Sequence, residues 1–104
     1  MKPALLAISA LTLGLTISGS ALADVALATT KNCMACHAVE KKVVGPSFKA
    51  VAEKYADRPD AVAKLAEKIV KGGAGVWGPV PMPANTQVNA AEANKLATWI
   101  MTLK

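Results

Sequence analysis

At 104 residues the chain has room for one domain at most, and its formal net charge is +5. Aromatic residues make up only 4% of the sequence, so any core must be built with few large side chains. The basic residues are spread along the chain and include a single arginine, Arg58, which excludes the arginine-rich modules of sequence-specific nucleic-acid-binding proteins.

The first 23 residues have the pattern of a secretory signal peptide. Lys2 supplies a short positive segment, residues 4–17 are mainly apolar, and residues 21–23 have the small-x-small form of a cleavage site. We therefore predict cleavage between Ala23 and Asp24 and a periplasmic domain of residues 24–104. The alternative is a membrane anchor, because the uncharged stretch approaches the roughly 20 residues that span a bilayer. Its Ser, Thr and Gly content and its Ala-x-Ala ending favour removal.

The remaining domain is small. At about 80 residues, a core alone rarely supplies more than about 3–5 kcal/mol, so a metal, disulfides or a cofactor is usually needed as well. Its first helix is predicted to begin at Asp24, a good N-cap residue, and to end near Lys31 and Asn32.

The motif with the most direct chemical meaning is Cys33-Met34-Ala35-Cys36-His37. Two thiols separated by two residues and followed by an imidazole are typical of covalent c-type haem attachment, in which the thiols form thioethers with the porphyrin. His37 is the only histidine of the chain and is the predicted proximal ligand of the iron.

Three other interpretations of the two cysteines are open: a redox dithiol, half of a zinc site, or a structural disulfide. A zinc site would need a fourth ligand, and the chain has no further Cys or His. A thioredoxin-like dithiol would need a βαβ context, and no strand pattern surrounds the motif. Haem attachment is therefore favoured.

A break at Gly45 and Pro46 separates the motif from a second predicted helix. Ligand histidines usually donate their second ring N–H to a carbonyl, and the Pro46 carbonyl is a candidate acceptor for His37. The second helix is predicted to end near Arg58 and Pro59. Its apolar face has helical spacing and comprises Phe48, Val51, Ala52 and Tyr55.

Two more helices are predicted beyond this point. The third begins after Asp60 and ends at Gly72, and the last begins at Asn89, which with Glu92 has the spacing of a capping box. The apolar face of the third comprises Val62, Leu65, Ala66 and Ile69. The last helix is predicted to pack against the first through Leu96, Trp99, Ile100 and Leu103.

Between these helices lies a proline-rich loop, residues 77–83. Three prolines in five residues exclude a helix or a central strand, and Met82 stands among them. Iron in a c-type site can take His and Met together, so Met82 is the predicted second axial ligand. The alternative for a methionine is gap-filling in the core. The other methionines are less suitable as ligands. Met1 would be removed with the signal peptide, Met34 lies between the cysteines, and Met101 lies in the last helix.

The chain resembles the small periplasmic bacterial cytochromes c of the c-551 type over residues 24–104. The resemblance rests on the Cys33–His37 motif, on Val44-Gly45-Pro46, on the Trp-Gly-Pro-x-Pro-Met-Pro run at 77–83, and on a last helix bearing Trp99. It implies an all-α class I cytochrome c fold, with about four short helices and loops wrapped around one covalently bound haem c.

The resemblance also implies a role for eight residues. Cys33 and Cys36 would form the thioethers, His37 and Met82 would be the axial ligands, and the Pro46 carbonyl would orient the histidine. Trp77 would donate to a haem propionate, Lys68 would lie near the same group, and Asn85 would bring an amide near the methionine sulfur. Asn32 stands where the family commonly has glycine, and asparagine tolerates left-handed dihedrals better than most residues.

The function implied is that of a soluble, monomeric periplasmic electron carrier, not an enzyme, with no nucleic-acid partner and no stable membrane insertion. Its donor would be a cytochrome or a bc-type complex and its acceptor a nitrite reductase or an oxidase. Two alternatives stay open: a peroxidase or gas sensor with a labile Met82, and a CxxC dithiol oxidoreductase. A candidate partner surface comprises Met34, Ala35, Val43 and Val44, with Lys31, Lys41 and Lys42 at its rim.

Overall fold

The computed structural model describes residue 14 and residues 20–103. The predicted leader therefore lies mostly outside the described residues, and its cleavage stays a prediction. Four helices follow one another along the chain: α1 (Ser20–Thr30), α2 (Phe48–Lys54), α3 (Ala61–Lys71) and α4 (Ala90–Ile100). A short 3-10 turn, Cys33–Ala35, follows α1. In the part of the chain that the structure describes there is no strand, only two isolated bridges, and no helix is long and apolar enough to cross a membrane.

Helix α1 begins earlier than predicted. In the full chain it starts at Ser20, so the prediction that Asp24 caps it is wrong there; for a chain cleaved after Ala23 it stays a prediction. Ala21, Leu22 and Ala23 have high helix propensity, which extends the helix upstream of the aspartate. Asp24 is instead buried inside α1, with its Oδ1 3.9 Å from Lys95 Nζ on α4.

The chain leaves α1 through a left-handed residue. Asn32 has φ 64° and ψ 19°, and it is the one non-glycine residue with positive φ in the described ranges. Asparagine visits this conformation more readily than other residues with a side chain, so it can replace the glycine common in the family. The chain turns here into the 3-10 turn that carries Cys33.

Helix α2 buries the predicted apolar face. Ser47 caps it by accepting the Ala50 N–H at 3.0 Å, and Phe48, Val51, Ala52 and Tyr55 are all buried. The helix ends at Lys54, earlier than the predicted Arg58, because Tyr55 has left helical geometry with φ −101° and ψ 6°. A turn then leads to Asp60 at the start of α3.

Helix α3 runs between the predicted limits. Asp60 occupies the cap position, but its carboxylate lies 3.5 Å from Arg58 Nε and makes no cap hydrogen bond. Gly72 ends the helix with φ 72°, a conformation that favours glycine. Leu65 and Ile69 are buried toward the core.

Helix α4 closes the core. It packs most extensively on α3, with α1 as a second neighbour, whereas the sequence analysis named only the first helix. Leu96, Trp99 and Ile100 are buried, and the Trp99 ring meets Phe48 of α2 edge-on at 5.4 Å. Buried apolar residues of all four helices thus form one core cluster.

The predicted capping box at the start of α4 is present. The Glu92 N–H donates to Asn89 Oδ1 at 2.8 Å, and the Asn89 N–H donates to Glu92 Oε1 at 3.1 Å. We expect Asn89→Ala to lower the free energy of unfolding by about 1 kcal/mol. In a domain of this size that corresponds to a fall in Tm of about 4–8 °C in thermal denaturation. Thr86→Ala, in the exposed loop before the helix, is the control and should leave Tm unchanged.

The same box makes stability depend on pH. The pKa of Glu92 is lowered because its carboxylate accepts the Asn89 backbone N–H and, next, because it pairs with Lys31. A lowered folded-state pKa contributes stability that is present above the unfolded-state pKa and is lost as pH falls through the folded-state pKa. Glu92→Gln should therefore flatten the acid limb of a Tm-against-pH curve, and an unchanged acid limb would contradict this assignment.

Candidate functional site

A cavity of about 330 Å³ lies between the 3-10 turn, α3 and the loop after it. Much of its wall is apolar core, including Phe48, Leu65 and Leu96. The structure brings to this one cavity all eight residues singled out in the sequence: Cys33, Cys36, His37, Pro46, Lys68, Trp77, Met82 and Asn85.

The turn at Cys33 fixes the spacing of the two thiols. The Cys33 carbonyl accepts the N–H of Cys36 at 3.2 Å and that of His37 at 3.0 Å. The Cys36 carbonyl in turn accepts the N–H groups of Val44 and Gly45, at 3.2 and 2.7 Å. These bonds close residues 33–45 into a compact unit with both half-buried cysteines on the cavity wall.

His37 is held by a carbonyl and by an aromatic ring. Its Nδ1 lies 2.8 Å from the Pro46 carbonyl oxygen, and its ring stacks on Phe48 with centroids 4.9 Å apart. A carbonyl can only accept a hydrogen bond, so Nδ1 carries the ring hydrogen and the Nδ1–H group donates to the Pro46 carbonyl. The Nε2 lone pair is therefore free to bind a metal, as in other ligand histidines.

Met82 is pinned to the end of α3 by its backbone. Its N–H donates to the Gly73 carbonyl at 2.8 Å, and its carbonyl accepts the Gly73 N–H at 3.0 Å. Gly72 is needed for this approach, because a Cβ built there would collide with the Met82 carbonyl oxygen. Met82 thus lines the cavity from a backbone that two hydrogen bonds hold beside Gly73.

Three polar residues complete the rim. Asn85 Nδ2 donates to the Ile69 carbonyl at 2.8 Å, which anchors the loop a second time on α3. The half-buried Lys68 folds over Gly73, where a built Cβ would stand 2.9 Å from its Nζ. Trp77 is 43% exposed, and Lys54 Nζ lies 5.0 Å from the centroid of its ring, a cation–π distance.

The sequence analysis missed two contacts of this region. Lys54 was not linked to Trp77, nor Gln87 to Lys31, because no motif or period connects surface residues so far apart in sequence. Lys31, named above as a candidate for the rim of the partner surface, is the lysine engaged here. Its Nζ donates to the Gln87 carbonyl at 3.0 Å and lies 3.1 Å from Glu92 Oε2.

The environment of Cys33 argues against a dithiol enzyme. Burial raises the pKa of this thiol, whereas its backbone hydrogen bond lowers it by less. Reactive dithiols need the opposite, a pKa lowered by nearby positive charge or a helix N-terminus. The cavity instead combines two thiols, an imidazole with a free Nε2 and a thioether within an apolar wall. These are the groups that hold a covalent haem, and they define the site of a c-type cytochrome.

Comparison with known proteins agrees with this class. The sequence model of the family described as Cytochrome c matches residues 23–104. Cytochrome c-552 of Nitrosomonas europaea is 56% identical over 90 residues, covering 86% of this chain and 87% of that protein. Cytochrome c-551 of Pseudomonas aeruginosa is 44% identical over 106 aligned positions, covering both chains completely.

The solved structures agree as well. The crystal structure of wild-type Nitrosomonas europaea cytochrome c552 superimposes with a TM-score of 0.76 at 56% identity, covering 77% of this chain and 99% of that one. The chain belongs to the cytochrome c family. It is an electron carrier rather than an enzyme and carries one covalent haem c, for which Cys33 and Cys36 are the only cysteines of the chain. The predicted all-α class I fold is confirmed.

Proposed function

We propose that this chain is a periplasmic one-electron carrier whose haem iron is held by His37 and Met82, and that it delivers electrons to a terminal reductase or oxidase such as a nitrite reductase. When bound, the haem supplies the one-electron redox couple. The observation that carries the proposal is the backbone bridge between Met82 and Gly73, which holds Met82 in the wall of the same cavity as His37.

In this proposal each residue of the cavity has a distinct task. Cys33 and Cys36 form the thioethers, and the Pro46 carbonyl keeps the proton of His37 on Nδ1. Asn85 Nδ2 carries two hydrogens, of which the Ile69 carbonyl takes one, so the other can serve the Met82 sulfur. Trp77 and Lys68, at the rim of the cavity, are assigned to the propionates.

The fixed ligands suit electron transfer. Met82 is tied at its own backbone and His37 at its ring, so neither has to move when the oxidation state changes. A carrier of this kind should show one reversible, single-electron wave in a redox titration and should bind no carbon monoxide in the reduced state. Binding of carbon monoxide would favour the gas-sensor or peroxidase alternative, in which Met82 is labile.

The location proposed is the periplasm, reached after cleavage between Ala23 and Asp24. It is supported by the leader pattern of residues 1–23. N-terminal sequencing of the exported holoprotein should begin at Asp24. We further propose that the protein acts as a monomer and binds its redox partners only transiently.

For these partners we propose a docking surface beside the cysteines, made of Met34, Ala35, Val43 and Val44. Val43 and Val44 are adjacent and 48% and 55% exposed, so they offer apolar area to a partner. Because Lys31 is engaged by Gln87 and Glu92, the free lysines next to this surface are Lys41 and Lys42, and both are exposed.

Charge reversal at Lys41 and Lys42 should slow electron transfer to an acidic partner. We expect the double variant Lys41→Glu/Lys42→Glu to lower the association rate by roughly tenfold at low salt and to flatten its salt dependence. Stopped-flow kinetics at several ionic strengths measure both. Lys64→Glu, an exposed lysine of α3, is the matched control. Equal salt slopes for the double variant and the wild type would remove the lysines from the docking surface.

A further inference from the structure

Gln87 joins the two segments that reach the cavity from opposite ends of the sequence. The Gln87 side-chain Nε2 donates to the Lys31 backbone carbonyl at 2.9 Å and to Asn85 Oδ1 at 3.2 Å. The Gln87 backbone carbonyl accepts from Lys31 Nζ at 3.0 Å. Lys31 lies two residues before Cys33, and Gln87 lies five residues after Met82. One exposed side chain thus connects the cysteine segment to the methionine loop across 56 residues of sequence.

The partners of Gln87 are themselves anchored. Asn85 is fixed on α3, because both its Nδ2 and its backbone N–H donate to the Ile69 carbonyl, at 2.8 and 3.3 Å. Lys31 is fixed on α4 by its ion pair with Glu92 at 3.1 Å. Gln87 therefore bonds to fixed points and not to mobile surface groups, so its hydrogen bonds can restrain the loop.

In the described part of the chain, few other hydrogen bonds hold the loop after Met82. Upstream, Met82 is bridged to Gly73, and downstream the next contacts are those of Asn85 and Gln87. Pro83 lacks an N–H and can make no donor bond of its own. If Gln87 lost its amide, Asn85 Oδ1 and the Lys31 carbonyl would both lose a donor, and the loop after Met82 would be held by the Asn85 bonds to Ile69 and by the Lys31 amine alone.

We infer that Gln87 is a positioning residue for Met82, and that it limits how readily the thioether leaves the iron by fastening the methionine loop to the cysteine segment. The inference rests on the proposed ligation by Met82. Movement of the loop away from the cavity would withdraw the sulfur, and the Gln87 Nε2 bond to the Lys31 carbonyl opposes this motion. The net contribution of one such hydrogen bond is about 1 kcal/mol, so its loss would change the equilibrium constant for loop opening by about fivefold.

The test compares the oxidised holoproteins of wild type, Gln87→Met and Thr86→Ala. Methionine matches the length of glutamine but has no donor, and Thr86 is an exposed neighbour in the same loop. Imidazole is added at increasing concentration, and loss of the methionine-to-iron absorption band is followed. The limiting rate at saturating imidazole reports the rate of loop opening. Far below Tm, a small loss of global stability does not raise this rate. Hydrogen exchange of the Val88 amide, which donates to the Asn85 carbonyl at 3.1 Å, is measured in parallel.

We expect about a fivefold higher limiting rate and faster Val88 exchange in Gln87→Met, and wild-type values in Thr86→Ala. A limiting rate in Gln87→Met within twofold of wild type, with the methionine band present in both, would overturn the role of Gln87 and leave the ligation by Met82 standing. Absence of the band from the wild type would instead overturn the ligation, and the role of Gln87 with it.

Discussion

Replacement of Met82 by alanine is expected to abolish the methionine-to-iron band of the oxidised protein and to open the sixth position to added ligands. A thioether paired with histidine raises the reduction potential, so its loss should lower the potential by something on the order of 0.1 V, within the roughly 0.8 V range that axial ligands span. Absorption spectra with and without imidazole, together with a redox titration, measure these changes. The backbone bridge to Gly73 does not use the side chain, so the loop itself should survive the substitution.

Met101→Leu is the control for this variant. Met101 lies half-buried at the end of α4, and leucine conserves its volume, so the band and the potential should both be retained. If Met82→Ala kept the band while Met101→Leu lost it, the assignment of the sixth ligand would be wrong.

The second large effect is expected at Gly45, which lies directly against the proximal histidine. A Cβ at this position would stand 2.6 Å from His37 Cε1, closer than real contacts allow, and 3.0 Å from its Nδ1. In Gly45→Ala the ring must therefore shift, and its 2.8 Å bond to the Pro46 carbonyl is weakened or broken. Overpacking of about 1–3 kcal/mol and loss of a hydrogen bond worth about 1 kcal/mol add to each other.

At about 4–8 °C per kcal/mol, this loss of about 2–4 kcal/mol predicts a fall in Tm of roughly 8–30 °C, together with a lower yield of haem-loaded protein. Thermal denaturation and the ratio of haem to protein absorbance measure the two effects. Gly73→Ala is the matched substitution, because its Cβ would meet only the far half of the flexible Lys68 side chain, which can move aside. Equal losses of Tm in the two variants would show that the Gly45 contact with His37 is not the cause.

Local signals in the sequence were sufficient to predict most of the fold. Apolar residues at helical spacing identified α2 and α3, Gly72 identified the end of α3, and the Asn89–Glu92 pair identified the start of α4. The errors occurred where neighbouring context outweighs a single residue. Asp24 does not begin α1 because the preceding alanines and leucine also favour helix.

The residues of the candidate site could also be predicted from the sequence, because most of them stand in short motifs. The pairing of His37 with Pro46 spans only nine residues, and the chain has one histidine. The contacts of Lys54 with Trp77 and of Gln87 with Lys31 could not be predicted. They join residues of segments that are far apart in the sequence, and only the folded chain brings them together.

The central claim is that the iron lies between His37 and Met82. The absorption spectrum of the purified, oxidised holoprotein tests it most directly. We predict low-spin c-type bands together with the weak methionine-to-iron band, present in the wild type and absent from Met82→Ala. A colourless protein, or one whose haem has a vacant sixth position or a ligand other than the Met82 sulfur, would contradict the account.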